Sequence, residues 1–112
     1  MIDMDTVLRA VSDPSRRAIL DLLAEGEQAV NDLLQHFTFS QPALSKHLRV
    51  LREAGLVAVR AAGRRRLYAL RAEGLRSVAE WTLHYQRFWG ERLDILGTVV
   101  DDAAEHDQEG GR

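Results

Sequence analysis

Leu44, Leu48 and Leu51 recur at the i, i+4, i+7 spacing of one helical stripe, while Gln41, Ser45, Lys46, Arg49 and Arg52 fall on the opposite side. The pattern predicts a helix of about fourteen residues within Phe39 to Leu56 that packs one face and presents the other to a polar partner. Its limits are written in the chain: Ser40 is suited to cap the first turn, Pro42 falls where a missing N–H costs nothing, and Gly55 offers a stop that tolerates positive φ. Upstream, Val30, Leu33, Leu34 and Phe37 mark a second short amphipathic helix over Val30 to Phe37, separated from the first only by Thr38, Phe39 and Ser40. A short helix, a tight turn and a helix with a polar outer face make a helix-turn-helix. Two ordinary core helices with solvated outer charges would show the same spacing, so the rest of the chain has to decide.

After Gly55 the period changes. Leu56, Val57 and Val59, then Leu67, Tyr68 and Leu70, are β-favouring residues in short alternating runs, and Ala62-Gly63 reads as the turn of a hairpin of about Val57 to Ala61 and Arg65 to Leu70. Arg60, Arg64, Arg65 and Arg66 crowd that turn, where like charges repel unless a polyanion lies nearby. A helix-turn-helix followed by a basic hairpin is a winged helix, the wing placed to reach a nucleic-acid backbone or minor groove. Toward the N-terminus, Asp5 to Val11 reads as a helix with Val7, Leu8 and Val11 on its apolar side, and Asp13 caps a second with Pro14 in its first position, a core of Ile19, Leu20, Leu22 and Leu23, and a stop at Gly26. Arg16 and Arg17 oppose the dipole at that helix's start; a phosphate contact and plain exposure both account for them.

The longest predicted element is a helix from about Glu73 to Ala104 with two apolar seams, one through Trp81, Tyr85, Phe88, Ile95 and Val99, the other through Leu75, Ala79, Trp89, Leu93, Leu96 and Val100. One small domain cannot cover both. The pattern therefore predicts a homodimer in which this helix meets its copy with help from the first helix, through Val7, Leu8, Val11, Trp81, Tyr85, Phe88, Trp89 and Ile95. The expected fold is mainly α with a small β-hairpin, four helices, two strands and a last helix in that order. It occupies residues 1–100, followed by an acidic tail over 101–112 expected to be partly disordered.

Charge sharpens this picture. From Ser40 to Arg71, eight cations (Lys46, Arg49, Arg52, Arg60, Arg64, Arg65, Arg66, Arg71) face Glu53 alone, a balance of +7 inside an overall −2, which leaves −9 for the rest of the chain. The basic residues sit where pattern alone places the reading elements. The chain has no cysteine, hence no disulfide and no thiolate metal site or nucleophile. No signal peptide or membrane span is expected, and the protein is expected to be cytoplasmic. No phosphate-binding glycine loop or catalytic constellation is present, and Ser45 and His47 point to different sides of their helix, so neither an enzyme nor a cofactor is expected.

Asp13-Pro14-Ser15-Arg16-Arg17, Ser40-Gln41-Pro42, Ser45-Lys46-His47-Leu48, Leu51-Arg52-Glu53-Ala54-Gly55-Leu56-Val57 and Gly63-Arg64-Arg65 together resemble the ArsR/SmtB family of bacterial winged-helix transcriptional regulators, over roughly Val7 to Leu96. The resemblance implies a dimeric repressor bound to double-stranded DNA, often one released by a metal ion. Contacts are expected from Ser40, Gln41, Pro42, Ser45, Lys46, His47, Arg49, Arg60, Arg64, Arg65 and Arg66: Gln41 suits adenine, Lys46 guanine, Ser45 either, and Arg49 phosphate. His47 also borders the packed stripe, and a packing role stays open for it. The chain departs from the family's metal sensors, which the resemblance credits with cysteines near the helix matching Val30 to Phe37, or with Asp-x-His on the last helix; here Thr82 stands two residues before His84. No metal is expected. A His/carboxylate site on the last helix (Glu80 with His84, or Asp102 with His106), a small organic effector in the aromatic seam, and a winged helix that binds protein instead of DNA remain as alternatives.

Overall fold

Three helices begin on an acceptor side chain that satisfies an orphan N–H of the first turn. Asp3 accepts from Thr6 N–H at 2.9 Å to start α1 (Met4–Val11), Asp13 from Arg16 N–H at 3.2 Å to start α2 (Pro14–Leu23), and the Ser40 hydroxyl from Ala43 N–H at 3.4 Å to start α4 (Gln41–Glu53). Between α2 and α4 lie β1 (Gln28–Ala29) and α3 (Val30–Leu34); after α4 come β2 (Val57–Ala62), β3 (Arg65–Leu70), a 3-10 turn (Ala72–Leu75) and α5 (Arg76–Leu83). This computed structural model describes residues 2–89, and the chain divides into two units, Met1–Ala79 and Glu80–Arg112.

The first unit is a mainly helical winged helix-turn-helix whose sheet carries one strand more than the hairpin expected. β1 adds to the free edge of β3, giving the order β1-β3-β2, with Gln28 opposite Tyr68 and Val57 opposite Leu70. Two residues of no particular β preference gave no local signal; their pairing comes from the edge that β3 offers. The hairpin turn is Gly63-Arg64 rather than Ala62-Gly63, since Ala62 pairs with Arg65, and Gly63 holds the positive φ of +66° that a tight connection takes most readily at glycine. α3 is shorter than the Val30 to Phe37 expected. Its last turn tightens into i→i−3 bonds, His36 N–H to Leu33 and Phe37 N–H to Leu34, as the Phe37 ring stacks on Phe39 at 4.7 Å.

The core draws on every helix of the unit. Leu44, Leu48 and Leu51 of the predicted stripe are buried together with Ile19, Leu20 and Leu23 of α2, Leu33 of α3, and Leu56 and Val57. Val7 and Ala10 of α1 belong to the same core, and this corrects one expectation: Val7 is 2% exposed within its own chain and has no surface to offer a second copy. Leu8 and Val11 are only half-buried.

The last helix also departs from a single run starting near Glu73. A 3-10 turn precedes α5, and α5 ends at Leu83 in a turn at 84–85, where His84 N–H bonds to Trp81 and Tyr85 N–H to Thr82. Thr, His and Tyr are weak helix formers, and the His84 imidazole Nδ1 lies 3.1 Å from the Trp81 carbonyl that the helix would otherwise use. Helical backbone resumes at 86–89. Ile95, Asp102, His106, the boundary expected at residue 100 and the tail lie outside the described residues. Within Glu80–Trp89, Trp81 meets Tyr85 edge-on at 5.7 Å, Tyr85 lies 6.4 Å from Phe88, and Trp81, Leu83, Tyr85, Phe88 and Trp89 are exposed. No helix among the described residues is long and apolar enough to cross a membrane.

Gly74 seats the 3-10 turn on the end of α4. A Cβ there would lie 2.3 Å from the Gly55 carbonyl oxygen, a backbone atom that cannot swing away. Gly74→Ala is therefore expected to lower stability by about 1 to 3 kcal/mol, the usual range for overpacking. A urea melt that leaves the midpoint unchanged would show that the turn relaxes freely.

Candidate nucleic-acid interface

α4 exposes the side that its pattern assigned to a partner. Ser40, Gln41, Pro42, Ser45, Lys46 and Arg49 are all exposed, and among the described residues none of the last five makes a side-chain bond to another element. Ser40 is occupied by its cap. Gln41, on the first turn of α4, lines an open cleft of about 620 Å³ together with Arg64, Arg65 and Arg66 of the wing and Ala29, Val30, Asn31 and Asp32 at the start of α3. Residues more than twenty positions apart, Gln41 and the wing arginines, thus share one surface.

Cations and carboxylates combine differently there than their positions in sequence suggest. Arg60 donates to Glu27 through Nε at 3.2 Å, and Arg65 donates to Asp32 at 2.6 Å; Arg71 pairs with Glu73 at 2.8 Å. The hydrogen bond from Arg60 holds the Glu27 carboxyl below its usual range, and the same bond raises Arg60. Glu27 and Asp32 come from the acidic remainder of the chain and are folded back onto the basic segment. Among the described residues, Lys46, Arg49, Arg52, Arg64 and Arg66 keep no carboxylate partner. Sequence reasoning passed over Asn31, Asp32 and Glu27, since nothing local links them to a wing thirty residues away.

Two further arginines prove to be anchors. Arg16 donates through Nε to the Ala10 carbonyl at 2.6 Å and through Nη2 to the Arg9 carbonyl at 3.0 Å, while Arg17 donates to the Val11 carbonyl at 2.7 Å. Together they close the C-terminal turn of α1, whose last carbonyls lack helical partners. The expectation of plain exposure did not include this anchoring, which Arg16 makes half-buried and Arg17 at the surface. His47 is half-buried: its Nδ1 lies 3.5 Å from Arg16 Nη1 and 3.5 Å from Asp13 Oδ2, and its ring tilts onto Phe39 at 5.4 Å. Of the contacts expected on α4, it is the one turned toward the protein.

Comparison with known proteins agrees with this architecture. Residues 13–59 match the family described as bacterial regulatory protein, arsR family. The chain is 41% identical over 96 residues to an arsenical resistance operon repressor of Staphylococcus xylosus, covering 86% of this chain and 82% of that one. A crystal structure of an ArsR family transcriptional regulator superposes with a TM-score of 0.70 at 30% identity, covering 78% of this chain and 96% of the other. The homodimeric winged helix-turn-helix DNA-binding domain of a Mycobacterium bovis protein, solved by NMR, gives 0.60 at 31% identity over 70% of this chain and 74% of that one.

Proposed function

The chain belongs to the bacterial arsR family of regulatory proteins, winged helix-turn-helix transcriptional regulators, and from that premise we propose that it represses transcription as a homodimer on an imperfect palindrome, without responding to metal ions. The observation that carries the DNA reading is the cleft in which Gln41 and Arg64 to Arg66 face one space beside the exposed side of α4. A helix in the major groove places Gln41, Ser45 and Lys46 against base edges, while the wing and Arg49 meet phosphates. One such helix reads few base pairs. Two related by a two-fold axis read half-sites on one face of the duplex, and the exposed aromatics Trp81, Tyr85, Phe88 and Trp89 support an apolar contact between copies.

Specificity is assigned to Gln41. Its replacement by Ala is expected to cost roughly 1 to 3 kcal/mol on a duplex enriched by the protein from a random pool, and little on a scrambled one, because a bidentate base contact is lost while phosphate contacts persist. Gel-shift titrations of both duplexes check this. Equal losses on the two would move Gln41 to the backbone-contacting set. No shift of any duplex at low salt would overturn the DNA reading itself and favour a protein partner.

Independence of metals is supported by donor chemistry. Soft ions such as arsenite are held best by thiolates, and the chain has no cysteine. Micromolar arsenite, cadmium, copper or zinc is expected to leave the DNA titration unchanged. A stoichiometric zinc site that includes His84 and weakens binding would overturn this.

A further inference from the structure

We infer that His47 is a positioning residue, which with Arg16 and Asp13 sets the rotation of α4 relative to α1 and α2, and so determines how accurately the base-reading side chains are aimed. The inference rests on reading α4 as the DNA-reading helix. α4 is seated by Leu44, Leu48 and Leu51, whose burial is favourable but without direction, so a stripe of leucines tolerates a small rotation of its helix. A directional tie has to be polar. Among the described residues, His47 is the only α4 side chain with a polar contact to another element.

The partners of that tie are themselves fixed. Arg16 is held by the Ala10 and Arg9 carbonyls, and Asp13 by the backbone N–H of Arg16 that it caps. His47 Nδ1 stands 3.5 Å from each, one a permanent donor and the other a carboxylate acceptor, so the ring finds a partner whether its Nδ1 carries a proton or not. On its other side Phe39 closes the slot at 5.4 Å, backed by the stacked Phe37. The imidazole therefore sits between a polar clamp built on α1 and α2 and an aromatic pair from the helix-turn-helix turn. The neighbouring Ser45, Lys46 and Arg49 of α4 turn with it.

Two substitutions separate positioning from contact and from simple stability. His47→Asn keeps a polar group near the Nδ1 position but cannot reach outward as Nε2 does; His47→Phe keeps the ring on Phe39 and removes the polar group. The probes are a duplex that the wild-type full-length chain enriches from a random pool and a scrambled duplex of the same composition. H47F is expected to lower the preference for the enriched duplex about tenfold, with scrambled-duplex affinity and salt slope unchanged, and H47N to stay within about threefold of wild type. Arg16→Lys should reduce the preference in the wild-type background but add little in H47F, the signature of one coupled unit. Equal loss in H47N and H47F would mean that His47 touches DNA, and no loss in H47F would mean that the clamp is idle; either overturns the inference. So does a parallel fall of melting temperature and scrambled-duplex affinity, which marks a purely structural role. If the wild type enriches no duplex, the DNA reading fails and this inference falls with it, a result distinct from enrichment that persists while the variants behave alike.

Discussion

Changing Arg64 and Arg66 together to alanine is expected to weaken binding to every duplex, on the order of a hundredfold at low salt, and to flatten its salt dependence. Both residues are exposed at the wing, and among the described residues neither has a carboxylate partner, so their charge is available to phosphates without first leaving an ion pair. In a dimer the double change removes four cations. At about 0.9 per phosphate contact, the slope of log K against log salt should fall by about 3.6. Arg65 supplies the internal control, since a phosphate contact from it has to give up the bond to Asp32 at 2.6 Å. Its loss should therefore cost less than that of either neighbour. Titrations of enriched and scrambled duplexes at several salt concentrations test the assignment. A double variant that binds scrambled DNA normally and loses only the enriched duplex would show that the wing reads bases instead of supplying affinity.

What could be read in the sequence was what is local. The leucine stripe of α4, the caps at Asp13 and Ser40, the stop at Gly55 and the alternation of the hairpin each lie within one turn or one strand of their cause, and the structure places them close to where the pattern put them. The exposed side of α4 follows from its buried side. What could not be read depended on pairing across distance. Gln28–Ala29 becomes a strand only because β3 has a free edge, and Val7 is core because α2 and α4 close over it. Arg16 and Arg17, suspect because they oppose the dipole of α2, are explained by carbonyls of α1 that no periodicity in α2 could reveal.

The charge count is the clearest case. A balance of +7 between Ser40 and Arg71 is a property of the chain, whereas the partner meets a surface. Glu27 and Asp32 cross into that surface and take up Arg60 and Arg65, which leaves the tip of the wing and the outer side of α4 as the electropositive regions. The two carboxylates also tie the outer half of the hairpin to the residue before β1 and to α3. Such exposed pairs add little to stability, so their larger effect is on which arginines are free to meet phosphate.

Ending the chain after Ala79 is expected to leave a folded domain that sediments as a monomer and binds the enriched duplex about 10² to 10⁴ times more weakly than the intact protein. Among the described residues, the whole core, including Leu75 and Val78 packed at its border, lies within Met1–Ala79, so a cooperative melt should survive the cut. The cut removes Trp81, Leu83, Tyr85, Phe88 and Trp89, the exposed apolar side chains that a second copy is proposed to cover. With one reading helix instead of two, the second half-site no longer adds to the first, and the advantage of linked binding disappears while the preference within a half-site remains. Sedimentation and titration of the two chains at the same micromolar concentration decide the matter. A truncated chain that remains dimeric would move the contact between copies to α1, around Leu8, and an intact chain that sediments as a monomer would remove the dimer from the proposal altogether.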